Sequence, residues 1–248
     1  MHQNTNEATS VAFQAAVKLR KMALAKEDGA FLGSEEELLN ALGVSRPTFR
    51  QAARLLAHEQ VLNIKRGVGG GFFARRPTLQ TVSRAVAAYL NARHTSVEDV
   101  LEASAGVFRM GIGLAAESAN EAARSRLTML RNKLVDLDGQ NHPAAELMLV
   151  EAELEQTIGE LSGNPAIELC LTMFNQFGAE QSTVKLYAGH PERVELWKEK
   201  TIGGISALLA QDRAAALERF IERSEMLKDW VAADMQHIAA DFRSMVGR

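Results

Sequence analysis

The sequence predicts a mainly α-helical protein, in which an N-terminal winged helix-turn-helix with a small two-stranded wing precedes an all-α antiparallel bundle. Three observations predict this class. Apolar residues make up 46% of the 248 residues, and aromatic residues make up only 6%. Such a composition is typical of packed helices. The strand signal is confined to 61–74, while helical periodicity with turn residues at the breaks fills the remainder.

The first predicted helix covers 9–27, where apolar residues recur along one helical face until Asp28-Gly29 ends it. A second helix follows Ser34, which has the spacing of a capping box with Glu37. Three acidic residues occupy its first turn, where the helix dipole favours negative charge. Gly43 ends this helix, and a tight turn leads to the next one.

The third helix begins at a cap, Ser45, and has Pro47 in its first turn, where a missing N–H costs little. Its arginines lie four residues apart and therefore share one face. Its apolar residues lie on another face that is available to a core. The arginines are Arg46, Arg50 and Arg54, and the apolar residues are Phe49, Ala53 and Leu56.

A wing is predicted next: residues 61–65 alternate as a strand, 66–71 form a glycine-rich turn, and 72–74 return. Arg75-Arg76-Pro77 has the character of a junction, which sets the predicted domains at 1–76 and 77–248. The second domain contains seven predicted helices separated by short breaks, one of which is 139–143. These helices are 79–93, 97–118, 121–137, 144–161, 165–188, 191–210 and 213–245.

Charge is distributed unevenly between the two predicted domains. Residues 1–76 hold 11 Lys and Arg against 7 Asp and Glu, a net of +4, whereas the remainder holds 17 against 24, a net of −7. The basic part coincides with the arginine-bearing helix and the wing, so attraction to phosphate would come from the smaller domain. An apolar helix face opposite an arginine stripe suits the major groove of DNA. The alternative is a solvated arginine face on an ordinary helix.

Cys170 is the single cysteine, so no internal disulfide is expected and a reducing compartment fits. Its apolar helical surroundings favour an inert buried thiol over a nucleophile.

We find no apolar run long enough to span a membrane and no signal peptide at the N-terminus. The expected location is cytoplasmic, with no membrane partner.

The segment 31–74 resembles the winged helix-turn-helix of GntR-family bacterial transcription regulators in the pieces L-G-S-E-E-E-L, L-G-V-S-R-P-T-F-R-Q-A and R-G-x-G-G-G-F-F. The helical remainder resembles the FCD effector domain of the FadR subfamily, in S-G-N-P and in L-L-A-Q-D-R-A-A-A-L. The resemblance implies a homodimer that reads two half-sites of double-stranded DNA. It also implies that a small molecule binds in the helical domain and changes the arrangement of the winged domains.

The resemblance carries DNA contacts onto six residues of this chain: Ser45, Arg46, Thr48, Arg50, Gly67 and Gly69. Lys65 and Arg66 are added as phosphate contacts by their charge, and Arg54 by its place in the stripe. One departure stands out. Glu36 occupies the position where the family usually has a contacting arginine, and an acid there would repel a phosphate. Either affinity is lower, or Arg54 or the wing compensates.

Many FCD domains hold a divalent metal with one aspartate and three histidines. The corresponding positions here are Glu151, Glu155, Thr201 and Arg223. This set lacks the imidazoles that a transition metal prefers. The sequence therefore predicts no metal and no cofactor, and instead an ion pair or network among Glu151, Glu155 and Arg223. The alternative is that the register is wrong by a turn and some of these residues lie on the surface.

The expected effector pocket is apolar and free of metal. The family often places a ligand-pairing arginine early in the first long bundle helix. Here Arg109 is the nearest candidate, beyond a segment that contains Ser104. Small residues of this helix either let helices approach closely or leave room for a ligand. Methionines at helical spacing belong either to the core or to the pocket. The candidate pocket residues are Ser104, Arg109, Glu151, Glu155, Met173, Phe177, Thr201 and Arg223.

The sequence thus predicts a ligand-responsive DNA-binding regulator, a repressor of a catabolic operon that binds a palindromic operator as a homodimer. The expected effector is a bulky apolar or aromatic molecule, such as an acyl or ring-containing catabolite. One alternative is a DNA-binding dimer whose helical domain has lost its effector response. The other is a helical enzyme, against which the sequence offers no nucleophile–base constellation and no phosphate loop.

Overall fold

The computed structural model describes residues 3–137, 144–180 and 186–246. The chain divides into two compact units, Met1–Thr78 and Leu79–Arg248. The predicted break at 139–143 lies outside the described residues.

The N-terminal unit contains the three helices and two strands predicted for the winged helix-turn-helix, and one additional strand. α1 begins six residues before its predicted start and ends three residues before its predicted end. The elements are α1 (Gln3–Leu24), β1 (Phe31–Gly33), α2 (Glu35–Leu42), α3 (Arg46–His58), β2 (Leu62–Lys65) and β3 (Gly71–Ala74).

The sheet has three strands: the two predicted strands of the wing, β2 and β3, pair as expected, and β1, which the sequence did not predict, adds to them. Its order is β1-β3-β2, and both pairings are antiparallel. Phe31 of β1 lies opposite Phe73 of β3, and Asn63 of β2 pairs with the same residue from the other side. Three residues are too few to show strand alternation, and the partner of β1 lies about forty positions along the chain. Only the tertiary fold therefore reveals this strand.

The turn between α2 and α3 is held by local contacts that the sequence predicts. Ser34 Oγ accepts from the Glu37 amide, while the Glu37 carboxylate accepts from the Ser34 amide at 2.7 Å. This reciprocal bond lowers the pKa of Glu37, because the Ser34 amide and hydroxyl both favour the ionised form. Gly43 has a left-handed backbone, φ 65° and ψ 35°, and its N–H returns to the Leu39 carbonyl. α3 can therefore leave the end of α2 at a fixed angle.

The core of the N-terminal unit fixes which face of α3 points outward. Phe49, Ala53 and Leu56 are almost fully buried, and Phe49 packs edge-on against Phe72 of β3, with ring centroids 4.8 Å apart. Leu19 of α1 belongs to the same core. Because these side chains anchor one face of α3, the arginine face is held toward solvent.

Among the described residues the C-terminal unit is entirely helical, as predicted. α8 is described as far as Glu180, and residues 181–185 of the predicted helix 165–188 lie outside the described part. Residues 187–189 form a turn, so the predicted helix does not reach 188. Its helices are α4 (Leu79–Ala92), α5 (Val97–Ala115), α6 (Glu121–Asp136), α7 (Ala144–Leu161), α8 (Pro165–Glu180), α9 (Pro191–Leu209) and α10 (Arg213–Val246).

Two glycines of α5 lie at close contacts with other parts of the bundle. A methyl group on Gly111 would lie 3.2 Å from Ile158 Cγ2 of α7, and one on Gly113 would lie 3.3 Å from the Arg213 guanidinium. Neither glycine lines the cavity described below. For Gly111 and Gly113, close approach is therefore the explanation that applies, of the two that the sequence left open. A methyl group on Gly106 would meet nothing within 4 Å. A fold class that is mainly α, with a winged helix-turn-helix and a helical domain, is confirmed.

Candidate nucleic-acid interface and effector cavity

The three arginines of α3 form an exposed face, which we call the arginine face. Arg46 and Arg50 have side chains that are 64% and 57% exposed, and Arg54 is also exposed. Ser45 lies at the N-cap of α3 but makes no capping hydrogen bond with its side chain. Pro47 removes the amide of the second helical residue, and the Ser45 hydroxyl instead lies 2.9 Å from the Thr48 hydroxyl.

Glu35 at the start of α2 holds two of these arginines. Its Oε1 lies 3.2 Å from Arg46 Nε and 3.1 Å from Arg50 Nε, and its Oε2 accepts from Arg50 Nη2 at 3.3 Å. The Glu35 carboxylate thus lies between two guanidinium groups, as a bound anion would. A phosphate or a base edge would have to compete with Glu35 for them. Glu36, the departure from the family pattern, is exposed.

The wing turn depends on backbone conformations that glycine adopts freely. Gly67 and Gly69 have φ of 88° and 74°, a region that other residues rarely occupy. A methyl group on Gly70 would lie 2.7 Å from the carbonyl oxygens of both Gly67 and Lys65. Val68, between Gly67 and Gly69, is fully exposed at the tip of the wing. The turn therefore presents backbone and one small apolar side chain, which suits entry into a narrow groove.

A groove runs between α3 and the wing. Its walls carry Arg50 and Arg54 on one side and Lys65 and Arg66 on the other, with Glu35 at one end. The Lys65 ammonium lies 4.4 Å from the centre of the Phe73 ring, which keeps the charge at this edge. The structure thus brings five of the residues predicted for DNA contact around one groove, which are Arg50, Arg54, Lys65, Arg66 and Gly67. Four cations around one groove would attract a polyanion.

The C-terminal unit contains a cavity of about 140 Å³ among α5, α7, α8 and α10 and the turn at Tyr187. Five of the predicted pocket residues line it: Ser104, Glu151, Glu155, Phe177 and Arg223. Aromatic and aliphatic side chains form most of the remaining wall. These include Phe108, Met148, Phe174, Leu227 and Val231.

Arg223 of α10 is the charged group at the centre of this wall, and its side chain is only 3% exposed. It donates two hydrogen bonds to Glu151 of α7, from Nη1 to Oε2 at 2.6 Å and from Nη2 to Oε1 at 2.7 Å. The rings of Phe108 and Phe220 lie 5.3 Å and 5.5 Å from its Cζ. The ion pair expected between Glu151 and Arg223 is therefore present.

Trp197 of α9 completes the partners of Glu151, because its indole Nε1 donates to Oε2 at 3.1 Å. Burial alone would lower the pKa of Arg223, but the neighbouring Glu151 outweighs burial and leaves that pKa raised. Burial also raises the pKa of Tyr187, and Glu151 adds to this effect. Arg223 is thus charged and Tyr187 is neutral at physiological pH.

Glu155, one helical turn beyond Glu151, has a different environment. Its side chain reaches the cavity and keeps some accessible surface there, but protein atoms surround it on all other sides. Burial raises the pKa of Glu155 from 4.5 to about 8, and the negative charge of Glu151 adds to this shift. Arg223 and a hydrogen bond from Asn175 Nδ2 at 3.3 Å oppose it. Among the described residues, Glu155 has no ion-pair partner of its own.

Three predicted pocket residues lie elsewhere. Arg109 is exposed and borders a separate cavity of about 40 Å³ beside Phe220. Met173 is half-buried on α8 and does not line the larger cavity. Thr201 is fully buried on α9, where its hydroxyl donates to the Trp197 carbonyl at 2.7 Å. Helical spacing alone places residues on a face but does not say which neighbouring helix covers that face.

Sequence reasoning missed other residues that line the cavity. Asn175, Tyr187 and Ser224 are polar members of its wall. No pattern along the chain links them, since they come from α8, a turn and α10. The helices that bring them together are separated by up to some fifty residues.

The positions that correspond to the family's metal ligands do not fit a divalent ion. Both oxygens of Glu151 are taken by Arg223, and the hydroxyl of Thr201 is directed to its own helix. Arg223 places a buried positive charge where a metal would have to sit. In the part of the chain whose side chains are described, no group of three His, Cys, Asp or Glu could hold a metal ion.

Stability is expected to fall as the pH rises from 5 to 8. In that range the folded state holds a proton on Glu155 that the unfolded chain, with a pKa near 4.5, has released. Glu155→Gln has no such proton, so its melting temperature should change less with pH. Glu153→Gln, an exposed site on the same helix, is the control and should keep the wild-type slope. Equal slopes in wild type and Glu155→Gln would contradict the assignment.

None of the described helices is long and apolar enough to cross a membrane.

No family model and no curated protein matches the sequence. Among solved structures, the chain is similar to one named Streptococcus agalactiae GntR, with a TM-score of 0.66 and 19% identity over 88% of this chain and 99% of that one. A GntR family member from Pseudomonas syringae pv. tomato str. DC3000 has a TM-score of 0.47 at 11% identity, covering 94% of this chain and 90% of that one. A TM-score below 0.5 supports no conclusion. The chain therefore has the fold of the Streptococcus agalactiae GntR structure.

Proposed function

We propose that this protein is a DNA-binding transcriptional regulator of the GntR family, FadR subfamily, and not an enzyme. It binds a palindromic operator as a homodimer through its winged domain, residues 1–76. Its helical domain, residues 77–248, is of the FCD type, pairs the two subunits and binds a small apolar or aromatic effector. In this proposal it represses a catabolic operon and releases or engages DNA when the effector binds.

The observation that carries the proposal is the arginine face beside a glycine-rich wing. Arg46, Arg50 and Arg54 project from a helix whose opposite face is anchored in the core. Lys65 and Arg66 flank the same groove. A helix that presents guanidinium groups can enter the major groove, while the wing reaches the adjacent backbone or minor groove. The likeness in fold to the Streptococcus agalactiae structure supports this reading.

A gel shift with the DNA upstream of the protein's own gene tests the proposal. We expect retention at low salt, and an affinity that falls steeply as salt rises, because each neutralised phosphate releases counterions. A scrambled duplex of equal length is the control, and it should bind more weakly. No retention of either duplex at about 50 mM salt would contradict the proposal.

The cavity favours an effector-responsive protein over a DNA-binding dimer that has lost its response. A packed helical domain that served only to pair subunits would have no need for an apolar cavity with polar groups in its wall. The proposal also includes no bound metal, since Glu151 and Arg223 satisfy one another. Elemental analysis of the purified protein should find no stoichiometric transition metal. About one equivalent of Zn, Ni or Mn per chain would contradict this part of the proposal.

Glu35→Gln is expected to tighten DNA binding. The carboxylate engages Arg46 and Arg50 in the free protein, so its loss releases both and removes a negative charge near the phosphates. Exposed ion pairs contribute up to about 1 kcal/mol, which sets the expected gain. Glu27→Gln removes the same charge from an exposed site after α1 and should change affinity less. Weaker binding by Glu35→Gln would instead show that Glu35 positions the arginines for the complex.

A further inference from the structure

The size of the cavity limits what it can hold. Its volume is about 140 Å³, close to the roughly 150 Å³ of an engineered apolar protein cavity that binds benzene. One ring with a short substituent, or a chain of comparable size, fills such a space.

The charges in the wall limit the ligand further. Among the described lining residues, the ionisable carboxyls are Glu151 and Glu155, and the cation is Arg223. Arg223 and Glu151 neutralise one another through two hydrogen bonds. Glu155 is left with one neutral donor, the Asn175 amide, and no ion pair within 4.0 Å. The wall therefore has one acidic group in excess.

We propose that this cavity binds a small apolar amine in its protonated form, with the ammonium against Glu155 and the apolar body against Phe174, Phe177 and Leu227. This proposal depends on the proposed function in one respect, which is that the cavity is the effector site. Binding itself requires no DNA.

Three features of the cavity support a cation. An ammonium would supply the ionic partner that Glu155 lacks, and its three N–H groups could also reach other oxygens in the wall, such as those of Ser104 and Ser224. The raised pKa of Glu155 shows that the carboxylate is unfavourable in the empty cavity, and an adjacent cation reverses that preference. The aromatic walls also favour an organic cation over a hydrated metal ion.

A carboxylate ligand fits less well. It would lie near Glu151 and Glu155, and the guanidinium that could balance it is held by Glu151. The Nε of Arg223 is buried without a hydrogen-bond partner among the described residues, but it offers one N–H and no unpaired charge. An acid in this cavity would leave at least one negative charge uncompensated.

Calorimetric titration of the full-length protein at pH 7 with benzylamine, benzyl alcohol and benzoate tests the proposal. The three probes share one ring and differ in charge. We expect benzylamine to bind at least about tenfold more tightly than benzyl alcohol, since hydrogen bonds to charged groups contribute about 1.5–3 kcal/mol and 1.4 kcal/mol is tenfold. Benzoate should bind most weakly. Benzoate binding as tightly as benzylamine, or no heat from any probe, would overturn the proposal.

Two variants locate the contact. Glu155→Gln keeps the shape of the side chain but removes its charge, and it should lose the advantage of benzylamine over benzyl alcohol. Glu153→Gln, exposed two residues away, should keep it. If benzylamine retains its advantage in Glu155→Gln, the ammonium lies elsewhere and the proposal is wrong. If no probe binds but the gel shift is positive, this inference is wrong and the proposed function stands. If benzylamine binds as expected but the gel shift is negative, the proposed function is wrong and this inference stands.

Discussion

Replacing Arg223 with methionine should lower the free energy of unfolding by about 3–5 kcal/mol, the usual cost of removing one partner from a buried ion pair. Arg223 is 2% exposed, and its loss leaves the carboxylate of Glu151, which is only 20% exposed, without its ionic partner and with the Trp197 indole as its donor. It also removes a positive charge that favours the ionised form of Glu155. Methionine fills most of the volume, so the cost of a cavity stays small. Urea denaturation of the purified protein measures the change.

An exposed ion pair in the same unit provides the control. Arg213 and Glu117 lie 2.8 Å apart, with side chains 59% and 66% exposed. Arg213→Met should cost less than about 1 kcal/mol, because solvent screens the pair. The double variant Arg223→Met/Glu151→Gln should recover part of the loss, since no unpaired charge remains and the glutamine oxygen can still accept from Trp197. A loss below 1 kcal/mol in Arg223→Met would mean that the pair contributes little.

Arg46→Ala and Arg50→Ala should each weaken specific DNA binding by about 1–3 kcal/mol, the range for a guanidinium that reads a base edge. Arg50→Lys keeps the charge but loses the planar pair of donors. It should therefore retain most of the salt dependence while losing discrimination between the operator and a scrambled duplex. Fluorescence anisotropy with labelled duplexes at two salt concentrations measures both quantities.

Lys18→Ala is the matched control for this series. Lys18 is exposed on α1, the helix that packs against the buried face of α3, so its loss changes the charge of the unit without touching the arginine face. It should leave specificity unchanged. Unchanged discrimination in Arg46→Ala and Arg50→Ala, or an equal loss in Lys18→Ala, would mean that the arginine face does not read the sequence.

The sequence predicted most of the fold because its signals are local. Ser34 with Glu37, Gly43 and the glycines of the wing set caps and turns within a few residues, and helical periodicity extends over whole elements. β1 escaped prediction because three residues carry no period and its partner is distant in sequence.

The candidate cavity could be predicted only in part. The resemblance to FCD domains pointed to Glu151, Glu155 and Arg223, and their opposite charges led to the expected ion pair. The spacing did not reveal that Thr201 is directed to its own helix, that Arg109 faces solvent, or that Asn175 and Tyr187 complete the wall. Those facts depend on how five separate segments pack.

The sequence by itself determined the order of the elements, the arginine face of α3 and its anchoring by Phe49, because caps, turns and helical faces are set by neighbours along the chain. Tertiary structure alone decided that Glu35 competes for Arg46 and Arg50, and that a third strand completes the sheet. It also decided that Glu155, a carboxyl with no ionic partner among the described residues, faces a cavity large enough for benzene. The reason is physical. Distances, burial and the partners of each charge follow from side chains that come together only when remote segments pack.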